Sequence, residues 1–177
     1  MRDRLTKYKL IRGRMKTGDL LQWQSNSVLG WVIRLLSHGK VNHSGLIFRF
    51  QEYAGLSNNR WTMEALENGF DLNLLSDRLK SFDGMVWWYP LKDEYNECRD
   101  DIATWAMLHK GIKYDFLGIV KQIIGRVSAN ARRLFCSEAC YLAYKSAEIP
   151  MNWKGKKSPQ PADMPGLGIF KKPINIL

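Results

Sequence analysis

The sequence predicts an α+β domain. Three observations carry that expectation. Strand-like patterning fills the first half of the chain, helical spacing fills the second, and 177 residues with 45% hydrophobic content suit one packed core. The whole chain, 1–177, reads as a single domain, with a core at about residues 17–165 and basic extensions at both ends.

Thr17–Gln24 reads as a strand after a Gly-Asp turn. Ser27–Ser37 carries Val28, Trp31, Val32, Leu35 and Leu36 at helical spacing, with a cap at Ser25, Asn26 or Ser27 and a stop at Gly39. Val41–Phe50 reads as a strand. Trp61–Leu66 and Phe70–Leu74 flank Asn68-Gly69, a hairpin signal, and Gly84–Leu91 is a further strand. Glu94–Lys110 then reads as a helix with Ile102, Trp105, Ala106 and His109 on one face. Asp115 caps a second helix at Phe116–Ile124, and Cys136–Ala147 is a third. The tail holds Pro150, Pro159, Pro161, Pro165 and Pro173, and is ordered only if it wraps the domain.

Net charge is +10 and unevenly placed: residues 1–16 carry seven Lys/Arg against one acid, and residues 121–177 ten against three. Such ends attract an anionic wall polymer or an anionic membrane surface, or simply keep the protein soluble. Zinc-finger spacing and RNP-like aromatic motifs are absent, so nucleic acid is not the leading partner. Three cysteines do not make a disulfide framework and fit a reducing compartment. The N-terminus is charged and lacks an apolar signal region, and no apolar stretch is long enough to span a bilayer. Synthesis as a cytoplasmic protein is the corresponding expectation.

Cysteine is the strongest candidate nucleophile, because it acts as a thiolate that a helix N-terminus and nearby cations favour. Cys136 follows Arg132 and Arg133 at an expected helix start, whose N–H groups suit an oxyanion. Cys140 lies one turn on, and Cys98 follows Glu94 and Glu97, which disfavour a thiolate. From Cys136 alone, an ordinary buried cysteine at a helix start is the plainer reading. Among three histidines, His109 sits on an apolar helix face and His38 near a helix C-terminus. His43 lies on a strand, sharing a face with Gly45, which leaves room for a neighbour. Glu64, set between Met63 and Ala65, needs a partner or an open cleft and is the leading orienter of an imidazole, with Asp19 as runner-up. Glu67 at the hairpin turn reads as solvated. Glycine-rich phosphate loops and a G-x-S-x-G elbow are absent. Cys136, Cys140 and a histidine make only a weak metal set, so neither metal nor cofactor is expected.

Five segments in order carry a resemblance: Thr17-Gly18-Asp19-Leu20-Leu21, Asn42-His43-Ser44-Gly45-Leu46-Ile47, Met63-Glu64-Ala65-Leu66, Lys113-Tyr114-Asp115-Phe116 and Phe135-Cys136-Ser137-Glu138. The chain resembles the permuted NlpC/P60 papain-like hydrolases, the YiiX/YaeF-like group, related to lecithin:retinol acyltransferase-like proteins. Ser158–Met164 resembles a late segment of that group. The resemblance covers about residues 17–165. It implies a circularly permuted papain-like fold, a small antiparallel sheet with the cysteine helix packed on it. It implies His43 as base, Glu64 as the orienting third member and Cys136 as nucleophile. It also implies Tyr114 near the cleft, binding substrate or assisting the oxyanion, although a packing aromatic explains Tyr114 equally simply. Ser44 departs from the Val common in the family.

The implied chemistry is acyl transfer through a thioester, with a peptide or an acyl-lipid as substrate. An amidase on γ-glutamyl or peptidoglycan-type peptides is the first expectation. A lipid acyltransferase or thioesterase is the second, with Trp87, Trp88 and Trp105 touching a membrane if they are not core. A catalytically idle binding or virion structural protein is the third. Lacking the export signal of many relatives, a cell-wall enzyme would need another delivery route, such as a lysis system or a phage particle.

Overall fold

The computed structural model describes residues 3–27, 39–50, 56, 58–66, 69–112 and 131–177. Among them six strands form one antiparallel sheet: β1 (Leu20–Ser25), β2 (His43–Phe48), β3 (Trp61–Leu66), β4 (Gly69–Leu74), β5 (Gly84–Tyr89) and β6 (Ile174–Asn175), ordered β4-β3-β2-β1-β5-β6. Four helices accompany them: α1 (Thr6–Ile11), α2 (Leu75–Ser81), α3 (Arg99–Leu108) and α4 (Ala131–Ser146). The α+β expectation is met.

Period-two alternation sorts the sheet into two apolar faces. Leu20, Leu46, Met63 and Phe70 pack with Ile102 and Ala106 of α3 and Ala139, Ala143 and Tyr144 of α4. Leu21, Trp23, Ile47, Val86 and Trp88 pack on the other side with Tyr8 of α1 and Leu75 and Leu79 of α2. Two short helices thus cover one face and two longer ones the other. The sheet order is that of a meander from β4 back to β1, with β5 and then β6 added beyond β1. Gly84 is required where β5 starts, since its φ is +150° and a Cβ there would meet Gln24 O at 2.0 Å.

Several expectations change. The first strand starts at Leu20, because Thr17-Gly18 turns and Gly18 N–H bonds to Ile47 O at 2.9 Å. The expected helix over 94–110 is shorter. A 3₁₀ turn at Asp93–Tyr95 precedes α3, and Arg99 is drawn inward onto Asp19 and Leu91, which sets the helix start. His109 therefore lies just past the helix rather than on its apolar face. Its ring stacks on Trp105 at 3.9 Å and its Nδ1 pairs with Trp105 O at 2.7 Å. The helix expected at 136 begins at Ala131. Helices α1 and α2 show that the first half is not purely strand. Each is six or seven residues long, too short for helical spacing to stand out. The tail does wrap the domain: Ile174 pairs with Trp88 and Asn175 with Trp87. The helices expected at 27–37 and 116–124 lie outside the described residues, as do His38, Glu67 and Tyr114.

Candidate active site

The pairing of β2 with β3 stops at Gly45↔Glu64, while β2 continues against β1 to Trp23↔His43 and β3 continues against β4 to Leu66↔Gly69. His43 thus stands at a fork in the sheet. Glu64, one register step away on β3, is fully buried and places Oε2 2.7 Å from His43 Nε2. The imidazole keeps 17% exposure. Gly45 is what lets Glu64 lie against β2. A Cβ at 45 would sit 2.9 Å from Glu64 Cγ and 2.8 Å from Thr62 Oγ1. The space expected beside Gly45 is therefore occupied by the carboxylate side chain itself.

Cys136 comes from α4, which packs on β2 and β3 and contributes to the apolar cluster on that side. A side-chain hydrogen bond and charge interaction link it to His43. The Glu64 carboxylate and the Cys136 thiol therefore both act on the one imidazole. Burial opposes the charged ring most strongly. The Cys136 and Glu64 interactions outweigh it and raise the His43 pKa from 6.5 to about 10. For Glu64, burial likewise works against the charge, but His43 and Arg78 prevail and hold the carboxyl below its ordinary 4.5. Cys140, buried one turn further, is pushed well above the usual thiol range by burial and then by Cys136 and Glu64.

Arg78, which sequence reasoning missed, completes the arrangement. Its Nε donates to Glu64 Oε1 and its Nη2 to Oε2, both at 3.1 Å, and its guanidinium lies 5.4 Å from the Trp23 ring centroid. An Arg in a short polar helix gives no local signal. What pointed to it was the buried Glu64, whose two oxygens needed more than one donor.

Cys136 is the sixth residue of α4, not its first. Its N–H falls where an α-helix bonds i to i−4, and the dipole effect is confined to the first turn. The expected oxyanion role of that N–H and the helix-start activation of the thiol are both corrected. The cysteine is also 1% exposed. Beside it, Ser137 Oγ donates to Pro159 O at 2.7 Å and Ser158 Oγ to Glu138 at 3.1 Å, so the late Pro-rich segment clasps the cysteine helix.

Asp19 is not near the imidazole. Buried, it accepts from Lys16 N–H at 2.9 Å, Trp88 Nε1 at 2.8 Å, Leu91 N–H at 3.0 Å and Arg99 Nη1 at 2.9 Å. It is a structural knot joining the β1 turn, β5 and α3. Cys98 lies just before α3 and forms no disulfide. Of the three Trp expected near a membrane, Trp88 is buried, while Trp87 and Trp105 are half-buried and Trp105 packs against the core.

The fold is that of a small YiiX-like α+β protein. The chain is similar to the crystal structure of the metalloprotein YiiX from Escherichia coli O157:H7, with 20% sequence identity and a TM-score of 0.56 over 75% of this chain. The match spans 66% of that chain's length, just under two thirds. No protein-family model and no curated protein matches the sequence.

Proposed function

We propose that the protein is a cysteine hydrolase or acyltransferase of permuted papain-like type, with Cys136 as nucleophile, His43 as proton carrier and Glu64 as its orienter. The observation that supports this most is that a buried carboxylate 2.7 Å away and the Cys136 thiol both raise the His43 pKa, to about 10. In this reading His43 takes the Cys136 proton as the thiol attacks, or the pair rests as thiolate–imidazolium. Cys136 Sγ then attacks an amide or ester carbonyl, forming the C–S bond. His43 gives its proton to the leaving amine or alkoxide as the scissile bond breaks. Water, deprotonated by His43, or an acceptor amine then cleaves the thioester and restores the thiol. Arg78 keeps Glu64 ionised throughout.

A peptidoglycan-type or γ-glutamyl peptide is the substrate class we favour, with an acyl-lipid as the alternative. The basic ends suit either an anionic wall polymer or a membrane surface. Among the described residues no helix is long and apolar enough to cross a membrane.

YiiX is described as a metalloprotein, but a metal role does not fit the described residues around His43 and Glu64. Both Glu64 oxygens are engaged by Arg78, whose guanidinium occupies the place of a cation. Among the described residues no group of three His, Cys, Asp or Glu is placed to hold an ion.

The burial of Cys136 favours one second reading, a catalytically idle binding or virion protein on the same fold. Alkylation with iodoacetamide between about pH 5 and 9 separates the two, because an activated thiol reacts below its ordinary range near 8.5. Rapid labelling of Cys136 below pH 7, together with amine release from peptide substrates or fatty-acid release from lipids, supports the enzyme. Labelling no faster than an unfolded control, with no turnover, supports the idle protein.

A further inference from the structure

A cleft of about 800 Å³ opens at the opposite end of β2 from His43, between the strand's exit, the turn before β1 and α3. Five residue steps along the strand separate its nearest wall, Phe48, from His43, roughly 16 Å at about 3.3 Å per residue. It is thus a second place on the molecule, apart from the Cys136–His43 pair.

Its polar wall is cationic. Lys16, Arg49 and Arg99 line it against one acid, the exposed Asp100. The three cations are not equivalent. Arg99 is committed to Asp19, Asn96 and Leu91. Lys16 Nζ reaches Asn96 Oδ1 at 3.4 Å, a long contact. Arg49 forms no ion pair among the described residues, and its Nε is buried without a hydrogen-bond partner. A buried guanidinium nitrogen left unsatisfied is costly and rare in a folded protein. Nor is the surrounding field neutral. Buried Arg60 has its pKa lowered first by desolvation and next by the charge of Arg49. The remaining wall is apolar, made by Phe48, Phe50, Ala103 and Met107.

We propose that this cleft binds a small amphiphilic anion, with a carboxylate or phosphate head on Arg49 and Lys16 and an alkyl or aromatic body against Phe48, Phe50, Ala103 and Met107. The head balances the Arg49 charge, which has no ion-pair partner among the described residues. The body covers the apolar wall, so neither part alone satisfies the site.

Titration calorimetry of the full chain with octanoate, octyl phosphate, octanol and inorganic phosphate, below micelle formation, tests this. The two octyl anions are expected to bind at least tenfold more tightly than octanol or phosphate. Arg49→Gln should weaken them about tenfold or more, as loss of a charge-assisted hydrogen bond does, and Arg49→Lys should recover part of the loss. Alkylation of Cys136 should proceed at an unchanged rate with the site saturated. Displacement of octyl phosphate by phosphatidylglycerol vesicles would assign the head to a membrane lipid, and no displacement would assign it to a free anion. Equal affinity for octanol, undiminished binding by Arg49→Gln, protection of Cys136, or no binding of either anion would each overturn the proposal. Should Arg49→Gln fail to fold, Ala103→Trp, which fills the cleft from α3, must abolish binding in its place.

Discussion

Arg78 holds both oxygens of the Glu64 carboxylate, Nε on Oε1 and Nη2 on Oε2, each at 3.1 Å, while Glu64 Oε2 also pairs with His43 Nε2 at 2.7 Å. A fully buried acid at the centre of the sheet is thus shared between a permanent cation and a titrating one. Removing either partner leaves the remaining pair to hold the buried charge by itself.

Arg78→Gln leaves the Glu64 charge with one partner. Breaking a buried pair from one side costs about 3 kcal/mol, and denaturant unfolding should show a loss of that order. The Glu64 pKa should rise, with His43 left as its lowering partner, and alkylation of Cys136 should slow as His43 loses its fixed orientation. An unchanged unfolding midpoint would mean that the guanidinium contributes nothing to the buried carboxylate.

Cys136→Ala removes the first of the interactions that raise the His43 pKa. NMR titration of the imidazole should find it protonated to about pH 10 in the native chain and well below that in the variant. Turnover should vanish with the fold intact. Full activity in Cys136→Ala would remove the proposed mechanism.

Stability should follow pH as a plateau with two falling edges. The His43 pKa is raised on folding, so its contribution is complete below 6.5 and is lost as pH climbs through about 10. The Glu64 pKa is depressed, so its contribution is complete above 4.5 and is lost as pH falls below that. Melting temperature should therefore peak between those two ordinary values. Glu64→Gln should remove the acid edge and reduce the alkaline one, whose larger cause is Cys136, and a variant curve parallel to the native one would show that the pair does not set the pH dependence.

Gly45→Ala places a methyl 2.9 Å from Glu64 Cγ and 2.8 Å from Thr62 Oγ1. The Thr62 hydroxyl has room to turn, but Glu64 is pinned by Arg78 and His43. Overpacking of this kind costs about 1–3 kcal/mol, seen as a lower unfolding midpoint together with a lowered His43 pKa. A stable Gly45→Ala with an unaltered histidine would show that the fork tolerates a side chain.

Ser137→Ala deletes the bond to Pro159 O. The loss should be about 1 kcal/mol, and limited proteolysis should cut earlier around residues 150–165. An unaltered digestion pattern would place the clasp elsewhere in the tail.

Much of the fold was legible because short apolar runs bounded by turn residues, such as Leu-Leu-Gln-Trp and Gly-Leu-Ile-Phe, read as strands buried on both faces, and Gly69 marks where β3 returns as β4. His43 stood out among three histidines, and Glu64 led as its partner with Asp19 as runner-up, since an acid in an apolar strand demands a partner. Arg78 could not be read this way, because its role depends on α2 lying across β3. Nor could the separation of Asp19 from the histidine, which follows from Arg99 reaching back to the β1 turn. The sequence by itself determined the strand faces, the scarcity of candidate bases and the basic ends, all properties of local composition and spacing. Only tertiary structure decided which donors reach Glu64, where α4 starts relative to Cys136, and that Arg49 lines a cleft with no ion-pair partner among the described residues. Those depend on distances between segments far apart in the chain, which local patterns do not encode.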